Sequence, residues 1–265
     1  MNKYQAPVVA KAFRLLDLIS KSPGGSRISE LARALDISKG TVHGIAAALE
    51  DAGAVVRDPV SKRYSLVFSL VEIGRRARKG FDLNAAARPH MEKLMERFNA
   101  SVFLGVLNRD HVTVIDVVES DHELKITSPS GSTISLLAGA VGKVFLSAME
   151  EERVDGILAQ GGLSAYTERS IVDPAAYRAA VALAGTRGYA LDDEEYIPGV
   201  QAAAALIRGR LPVPAAVWVV GFKSQLAGST MKVLGTAVRD AAEAVADDLR
   251  SRKRRGTEVN SHAPG

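Results

Sequence analysis

Three groups of residues in this 265-residue chain have the types and spacing to do chemistry. The densest is Asp192-Asp193-Glu194-Glu195, four consecutive carboxylates. Neighbouring carboxylates can hold a cation, or push their pKa values apart into an acid and a base. An acidic loop after an apolar strand is also commonly just solvated. Asp192, which follows Gly188-Tyr189-Ala190-Leu191, is the member expected to face inward. There it needs hydrogen-bonding partners, because a buried charge is otherwise costly; a pocket ligand could be one. The second group, Gly139-Ala140-Val141-Gly142-Lys143-Val144, resembles a phosphate loop. Its glycines are too closely spaced, and Lys143 is followed by valine rather than the hydroxyl residue that would hold magnesium. It reads instead as a helix start packed on a sheet. The third group is five histidines, at 43, 90, 111, 122 and 262, with no i, i+4 pair for a metal. The chain has no cysteine, which excludes disulfides, cysteine nucleophiles and thiolate metal sites. No catalytic constellation emerges, so the expectation is a protein that is not an enzyme and carries neither metal nor cofactor.

A fourth group is spaced for recognition rather than reaction. Ser38, Lys39, Gly40, Thr41, His43 and Gly44 lie within seven residues. The elements around them explain the spacing. Leu31, Ala32 and Leu35 form an apolar stripe at helical period, with Ser29 a candidate N-cap. Asp36-Ile37-Ser38 interrupts it. Ser38 then caps a second helix whose buried stripe is Val42, Ile45, Ala46 and Leu49. Two short helices around a tight turn make a helix-turn-helix, whose second helix must be thin and polar toward a DNA major groove. Two glycines in so short a helix each cost ~1 kcal/mol against alanine, and small residues allow close backbone approach. The same pattern also suits an ordinary helical hairpin in a core.

The flanking elements favour DNA. A helix from Val8 to Ser20, with Val9, Ala12, Phe13, Leu16 and Ile19 as its apolar face, precedes the pair. After Gly53, two short strands, Ala54–Arg57 and Arg63–Leu66, flank Asp58-Pro59-Val60-Ser61-Lys62. A hairpin directly after a recognition helix is a wing, with Lys62 and Arg63 placed near a phosphate backbone. A helix from Phe68 to Lys79 follows, and Gly80-Phe81-Asp82 reads as a junction. Charge divides along the same lines. Residues 1–80 carry a balance of +7, residues 81–250 a balance of −6, and residues 251–265 a balance of +3. A basic head on an acidic body fits a nucleic-acid-binding domain joined to a separate one.

The second part opens with a helix, Asn84–Asn99, then apolar β-branched runs at Val102–Leu107 and Val112–Val118. Leu124–Thr127 is a further candidate strand. Helices are expected at Ala138–Met149, Glu151–Ala159 and Pro174–Arg187, and strands at Gly188–Asp192, Val200–Ile207 and Ala215–Phe222. A long helix, Thr230–Arg250, closes the domain. The mixed order suggests an α+β sheet with helices on one face. Trp218, the sole tryptophan, shares a strand face with Ala216, Val220 and Phe222; sheet core is its ordinary reading. The polar tail from residue 251 lacks periodicity and reads as disordered. No apolar span reaches the ~18 residues of a membrane helix. The N-terminus lacks a secretory apolar region, so a cytoplasmic protein is expected.

Several stretches resemble the IclR family of bacterial transcription regulators. In the first part these are AFRLLDLI, ISELARALDISKGTVHGIAAALEDAGAV and the wing ending RYSL. In the second they are AGAVGKVFLSAM and RGYALDDEEYIPGV, followed by the final strand and helix. The resemblance spans about residues 8–250. It implies a winged helix-turn-helix over 1–67, a linker helix over 68–82, a GAF-like α/β effector-binding and oligomerisation domain over 83–250, and a basic tail over 251–265. It further implies dimers or tetramers on a pseudo-palindromic double-stranded DNA operator, no membrane, and control, repression being the expectation, by a small organic effector. By position, Ser38, Lys39, Thr41, His43 and Gly44 correspond to the groove-facing part of the recognition helix, with Gly40 letting its backbone approach, and Gly44 stands where members often carry arginine. Ser29 and Ser38 at the helix starts, with Lys62 and Arg63 on the wing, are the expected backbone contacts. The family's pocket wall maps to Ile134, Ala140, Val141, Asp192, Ala202, Trp218 and Val220. Ala202 sits where cysteine is common, and Trp218 and Val220 sit where small hydroxyl residues often hold a carboxylate. That change implies an aromatic or hydrophobic effector with Asp192 as polar anchor, or a pocket filled by Trp218. From another class, a small-molecule sensor or enzyme whose basic head binds a protein partner is the alternative.

Overall fold

The computed structural model describes residues 6–79, 83–209 and 211–260. The junction expected at Gly80-Phe81-Asp82, the last five tail residues and the side chains of Arg75, Arg78 and Lys79 lie outside them. The chain forms two compact units, Met1–Phe81 and Asp82–Gly265.

The first unit runs α1 (Pro7–Ser20), α2 (Ile28–Leu35), α3 (Lys39–Asp51), β1 (Val55–Arg57), β2 (Tyr64–Leu66) and α4 (Phe68–Lys79). Its core joins Leu15 and Ile19 of α1, Leu31 and Leu35 of α2, Val42 and Ile45 of α3, and Tyr64 of the hairpin. The expected face of α1 is rotated. Leu15 is buried, whereas Phe13 is 67% exposed and Val8 and Val9 stand out beside it. The helix carries two adjoining apolar stripes, and the small core covers only one. Gly25 is required where the chain enters the hairpin: its φ is +70°, and a Cβ there would lie 2.7 Å from the Tyr64 carbonyl oxygen.

The second unit is built on one antiparallel six-stranded sheet in the order β5-β4-β3-β8-β7-β6. The strands are β3 (Ser101–Asn108), β4 (His111–Val118), β5 (Thr133–Ser135), β6 (Ala190–Asp193), β7 (Val200–Ile207) and β8 (Ala215–Phe222). Helices cover both faces, not one. Leu104, Ala203, Ala205, Val217 and Val219 pack against α5 (Leu83–Phe98) and α10 (Met231–Asn260). The alternate residues Phe103, Ala202, Ala204, Ala216 and Trp218 pack against α6 (Gly139–Leu146), α7 (Glu151–Gly161) and α8 (Pro174–Arg187). Strands apolar at nearly every position need cover on both sides.

Three further boundaries differ from expectation. Leu124–Thr127 forms no strand, and Leu124 is exposed. The edge strand is instead β5, paired with β4 through Val112↔Ile134. A short α9 (Lys223–Leu226) follows β8. The backbone of α10 stays helical to Asn260, past the boundary at 250. Lys and Arg are good helix formers, so a polar run can extend a helix that packing has already nucleated.

Candidate functional site

In the first unit the site is the outer face of α3. Ser38 has an extended backbone and its Oγ accepts from the Thr41 N–H at 3.1 Å, so it is the N-cap of α3 as its type predicts. Val42, Ile45 and Ala46 point into the core, leaving Lys39, Gly40, Thr41, His43 and Gly44 exposed. Lys39 and His43 have no hydrogen-bond or ion-pair partner among the described residues. A Cβ on Gly44 would meet nothing within 4 Å, and one on Gly40 only the Ser38 Oγ at 3.9 Å. The fold of this unit therefore does not require glycine at either place.

The turn before α3 is closed by Asp36 in the left-handed region, φ 53° and ψ 50°. Its N–H donates to the Arg33 carbonyl at 3.3 Å, and that of Ile37 to the Ala32 carbonyl at 3.1 Å. This paired closure satisfies the last carbonyls of α2 and sets the angle between the helices. Ser29, Arg33, Ser38 and Lys39 line a surface concavity of about 500 Å³ beside that turn.

One expectation is corrected here, the cap of α2, and one wing residue has partners that its sequence neighbours do not show. Ser29 is not the cap of α2. The Arg27 N–H is instead taken by the Glu30 carboxylate at 2.9 Å, which with the nearby Arg63 guanidinium holds the Glu30 pKa below the usual carboxylate value. Arg63 does not stand free on the wing. Its guanidinium donates to the Gly25 carbonyl at 2.8 Å and to both Glu30 oxygens at 3.2 Å, tying the wing to α2. Lys62 remains exposed at the wing turn, with φ 59°. Asp58 folds that turn by accepting from the N–H groups of Val60 and Ser61 at 3.1 and 2.6 Å.

In the second unit six of the seven wall residues fall in or against one core beneath α6, Val220 and Ile134 being half-buried. The seventh, Asp192, is 5% exposed at the end of β6, beside Ala202 of β7. Its Oδ1 accepts from the Glu195 N–H at 2.7 Å. Burial pushes the carboxyl up to about 6, against the opposing pull of the Glu195 and Tyr196 N–H groups. Gly139 opens α6 with φ +58°, and a Cβ there would lie 2.7 Å from the Asp192 Oδ2. Glycine thus lets the carboxylate reach the start of the helix.

Trp218 is 3% exposed and stacks on Phe103 with centroids 5.6 Å apart. Its indole lies over Gly105, where a Cβ would come within 2.7 Å of the ring. Ala204 pairs with it across the sheet, and the small side chains around it give the ring its room.

The other acidic residues are paired rather than solvated. Lys143, 4% exposed in its side chain, donates to both Glu195 oxygens at 2.6 Å and to the Leu191 carbonyl at 2.9 Å. Glu194 meets Arg169 at 3.3 Å and also Lys223, and Asp193 meets Arg169 at 2.9 Å. Each carboxylate is held by a cation distant in sequence, so the cluster is a structural clasp on the β6–β7 loop. Tyr177 of α8 escaped the sequence reading. It lies on a helical stripe with Val181 and Ala184, all buried, which reads as plain core.

No helix among the described residues is long and apolar enough to cross a membrane. Residues 8–59 match the IclR helix-turn-helix domain, and residues 76–247 match the bacterial transcriptional regulator IclR C-terminal domain. Over 244 residues the chain is 28% identical to the transcriptional repressor IclR of Escherichia coli K12, covering 91% of this chain and 89% of that one. The crystal structure of an IclR regulator from Alicyclobacillus acidocaldarius superimposes with a TM-score of 0.77 at 28% identity, covering 92% and 99%. An IclR homologue from Microbacterium hydrocarbonoxydans, solved in complex with 4-hydroxybenzoate, gives a TM-score of 0.73 at 21% identity, covering 92% and 99%. These relatives are regulators rather than enzymes, and on the matches across both units this chain belongs to the IclR family of DNA-binding transcriptional regulators.

Proposed function

We propose that this regulator acts in the cytoplasm as a homo-oligomer on a pseudo-palindromic operator, and that a small aromatic or hydrophobic effector beside Asp192 controls that binding. Residues 1–67 serve as the DNA-binding domain, 68–82 as the linker and 83–250 as the effector-binding and oligomerisation domain. Repression is the favoured direction, by analogy with the E. coli relative.

The observation that carries this reading is the outer face of α3. It is polar and exposed from Lys39 to Gly44, with the Lys39 and His43 side chains unpartnered among the described residues and open space at Gly40 and Gly44. A helix so shaped fits a major groove with its first turn against base edges. Lys62 and the concavity at Ser29 and Arg33 supply phosphate contacts that set register, whereas Arg63 acts by holding the wing in place. Exposed Val8, Val9 and Phe13 on α1 support assembly, since a second copy would cover them. A ring-bearing effector is supported by the apolar wall and by the 4-hydroxybenzoate bound in the Microbacterium homologue. That effector regulates only if it binds two states of the protein unequally.

Fluorescence anisotropy on DNA from the gene's own upstream region, beside scrambled DNA and over a salt series, tests the head. Tighter binding to the native fragment, weakening as salt rises, is expected. Lys39→Ala lowers affinity and reduces the salt slope by about one. Gly44→Ala separates folding from recognition. It stabilises the head by up to ~1 kcal/mol and leaves operator binding intact, because the position has open space around it and accommodates a larger side chain. Equal, weak binding of both fragments by the unaltered protein would instead favour a basic head that docks on a protein partner.

A further inference from the structure

Among the described residues two buried side-chain polar atoms have no hydrogen-bond partner, Thr113 Oγ1 and the Tyr177 hydroxyl. They face different cores. Thr113 pairs with Val106 on the α5–α10 side of the sheet, while its neighbours Val112 and Val114 point the other way. Tyr177 lies in the core beneath α6, with Phe103, Ala140, Val141 and Trp218. It is 3% exposed, and α8 packs there against α6 and β6, the elements that carry Gly139 and Asp192.

An unmade hydrogen bond in such a place is costly, and a phenylalanine would fill the same volume without the cost. Burial, then the charges on Glu195 and Asp192, push the phenol pKa up, so the group is a neutral donor at physiological pH. Those two carboxylates are already engaged, Glu195 by Lys143 and Asp192 by the Glu195 N–H. Beside them, Tyr196 lies near the start of α6, its Cβ 3.7 Å from the position of a Cβ on Gly139. Tyr166 packs edge-on against Tyr196 with centroids 4.8 Å apart. This aromatic pair lies on the side of the Asp192 loop open to solvent, Tyr166 being exposed, and offers a face for a flat ring.

We infer that Tyr177 is an effector-contacting residue, and that the effector is a small aromatic compound bearing a carbonyl or carboxylate oxygen that accepts the Tyr177 O–H. This rests on the effector-pocket reading above and adds to it a donor and the matching group on the ligand.

The test uses the full chain and three probes of one ring size: 4-hydroxybenzoate, 4-hydroxybenzaldehyde and 4-methylphenol, the last without the carbonyl oxygen. Calorimetric titration is expected to show at least one of the first two binding about tenfold tighter than 4-methylphenol. Tyr177→Phe removes most of that preference and leaves 4-methylphenol within about twofold. Without ligand, the same variant melts about 2–4 °C higher, because a buried unpaired hydroxyl is gone. The inference is overturned if Tyr177→Phe keeps the wild-type preference, if no probe binds the wild type, or if the unliganded variant melts lower. Operator binding is read separately. Probes that bind through Tyr177 without changing operator affinity sink the regulatory reading and leave the site standing. A probe that shifts operator affinity equally in both proteins sinks the Tyr177 contact alone.

Discussion

Asp192→Asn is expected to make the second unit more stable at pH 8 and to abolish its response to effector. The carboxyl is 5% exposed, and burial raises its pKa from 3.8 to about 6. Because the folded value lies above the unfolded one, stability from this group is fully present below about pH 4 and is lost as pH rises through 6. The shift of about two units corresponds to roughly 3 kcal/mol by pH 8. Asparagine carries no charge to bury, and its carbonyl can still accept the Glu195 N–H. It lacks the second acceptor oxygen, which offsets the gain by about 1 kcal/mol. A net gain of ~2 kcal/mol raises the melting temperature by about 4–8 °C for a unit of this size. Melting curves from pH 4 to pH 8 check the sign: the gap between variant and wild type widens with pH and is smallest near pH 4. A constant gap would mean that Asp192 does not titrate in this range. Loss of effector response, measured as operator release, follows from the anchoring role proposed for Asp192, since asparagine cannot become an anion.

Gly142→Ala carries the opposite sign and a larger effect. A Cβ at 142 would stand 2.1 Å from the Leu136 carbonyl oxygen and 2.8 Å from its carbon. Both are backbone, and Leu136 is itself buried, so neither can step aside. The residue crosses α6 over the segment leaving β5, and only glycine permits that crossing. Overpacking a well-filled site costs typically 1–3 kcal/mol, and a clash with immovable backbone exceeds that range, so a loss of ~4 kcal/mol or outright unfolding of the second unit is expected. Urea denaturation followed by circular dichroism measures it. A loss below about 1 kcal/mol would mean that α6 can lift off the β5 segment at little cost.

The helices of the first unit were legible because their packing is local. Leu31-Ala32-Leu35 and Val42-Ile45-Ala46 sit at the spacing that buries them, and Ser38 caps as its type predicts. What escaped was decided at long range. Nothing near Arg63 in sequence shows that Glu30 will claim its guanidinium. Nothing near Lys143 shows that Glu195 will pair with it across 52 positions. The cover on both sheet faces was written in the runs VFLGVL, VQAAAALI and AAVWVVGF, whose apolar positions do not alternate. The edge strand β5 spans three residues and has no pattern of its own; pairing with β4 makes it a strand. Asp192 was rightly placed inward by its apolar neighbours, while the unpaired Tyr177 hydroxyl was invisible because an aromatic on an apolar helical stripe reads as filler.

The chain has one tryptophan, and it lies in the second unit, shielded from water and stacked on Phe103 within the same core as the proposed effector pocket. The protein therefore carries its own dye. Excitation at the red edge of the protein band selects this single indole, and its emission reports the surroundings of β8 alone. The DNA-binding head has no indole and stays dark. Occupancy of the pocket and occupancy of the operator can thus be followed in one cuvette, the first by intrinsic emission and the second by a labelled duplex, without attaching anything to the protein.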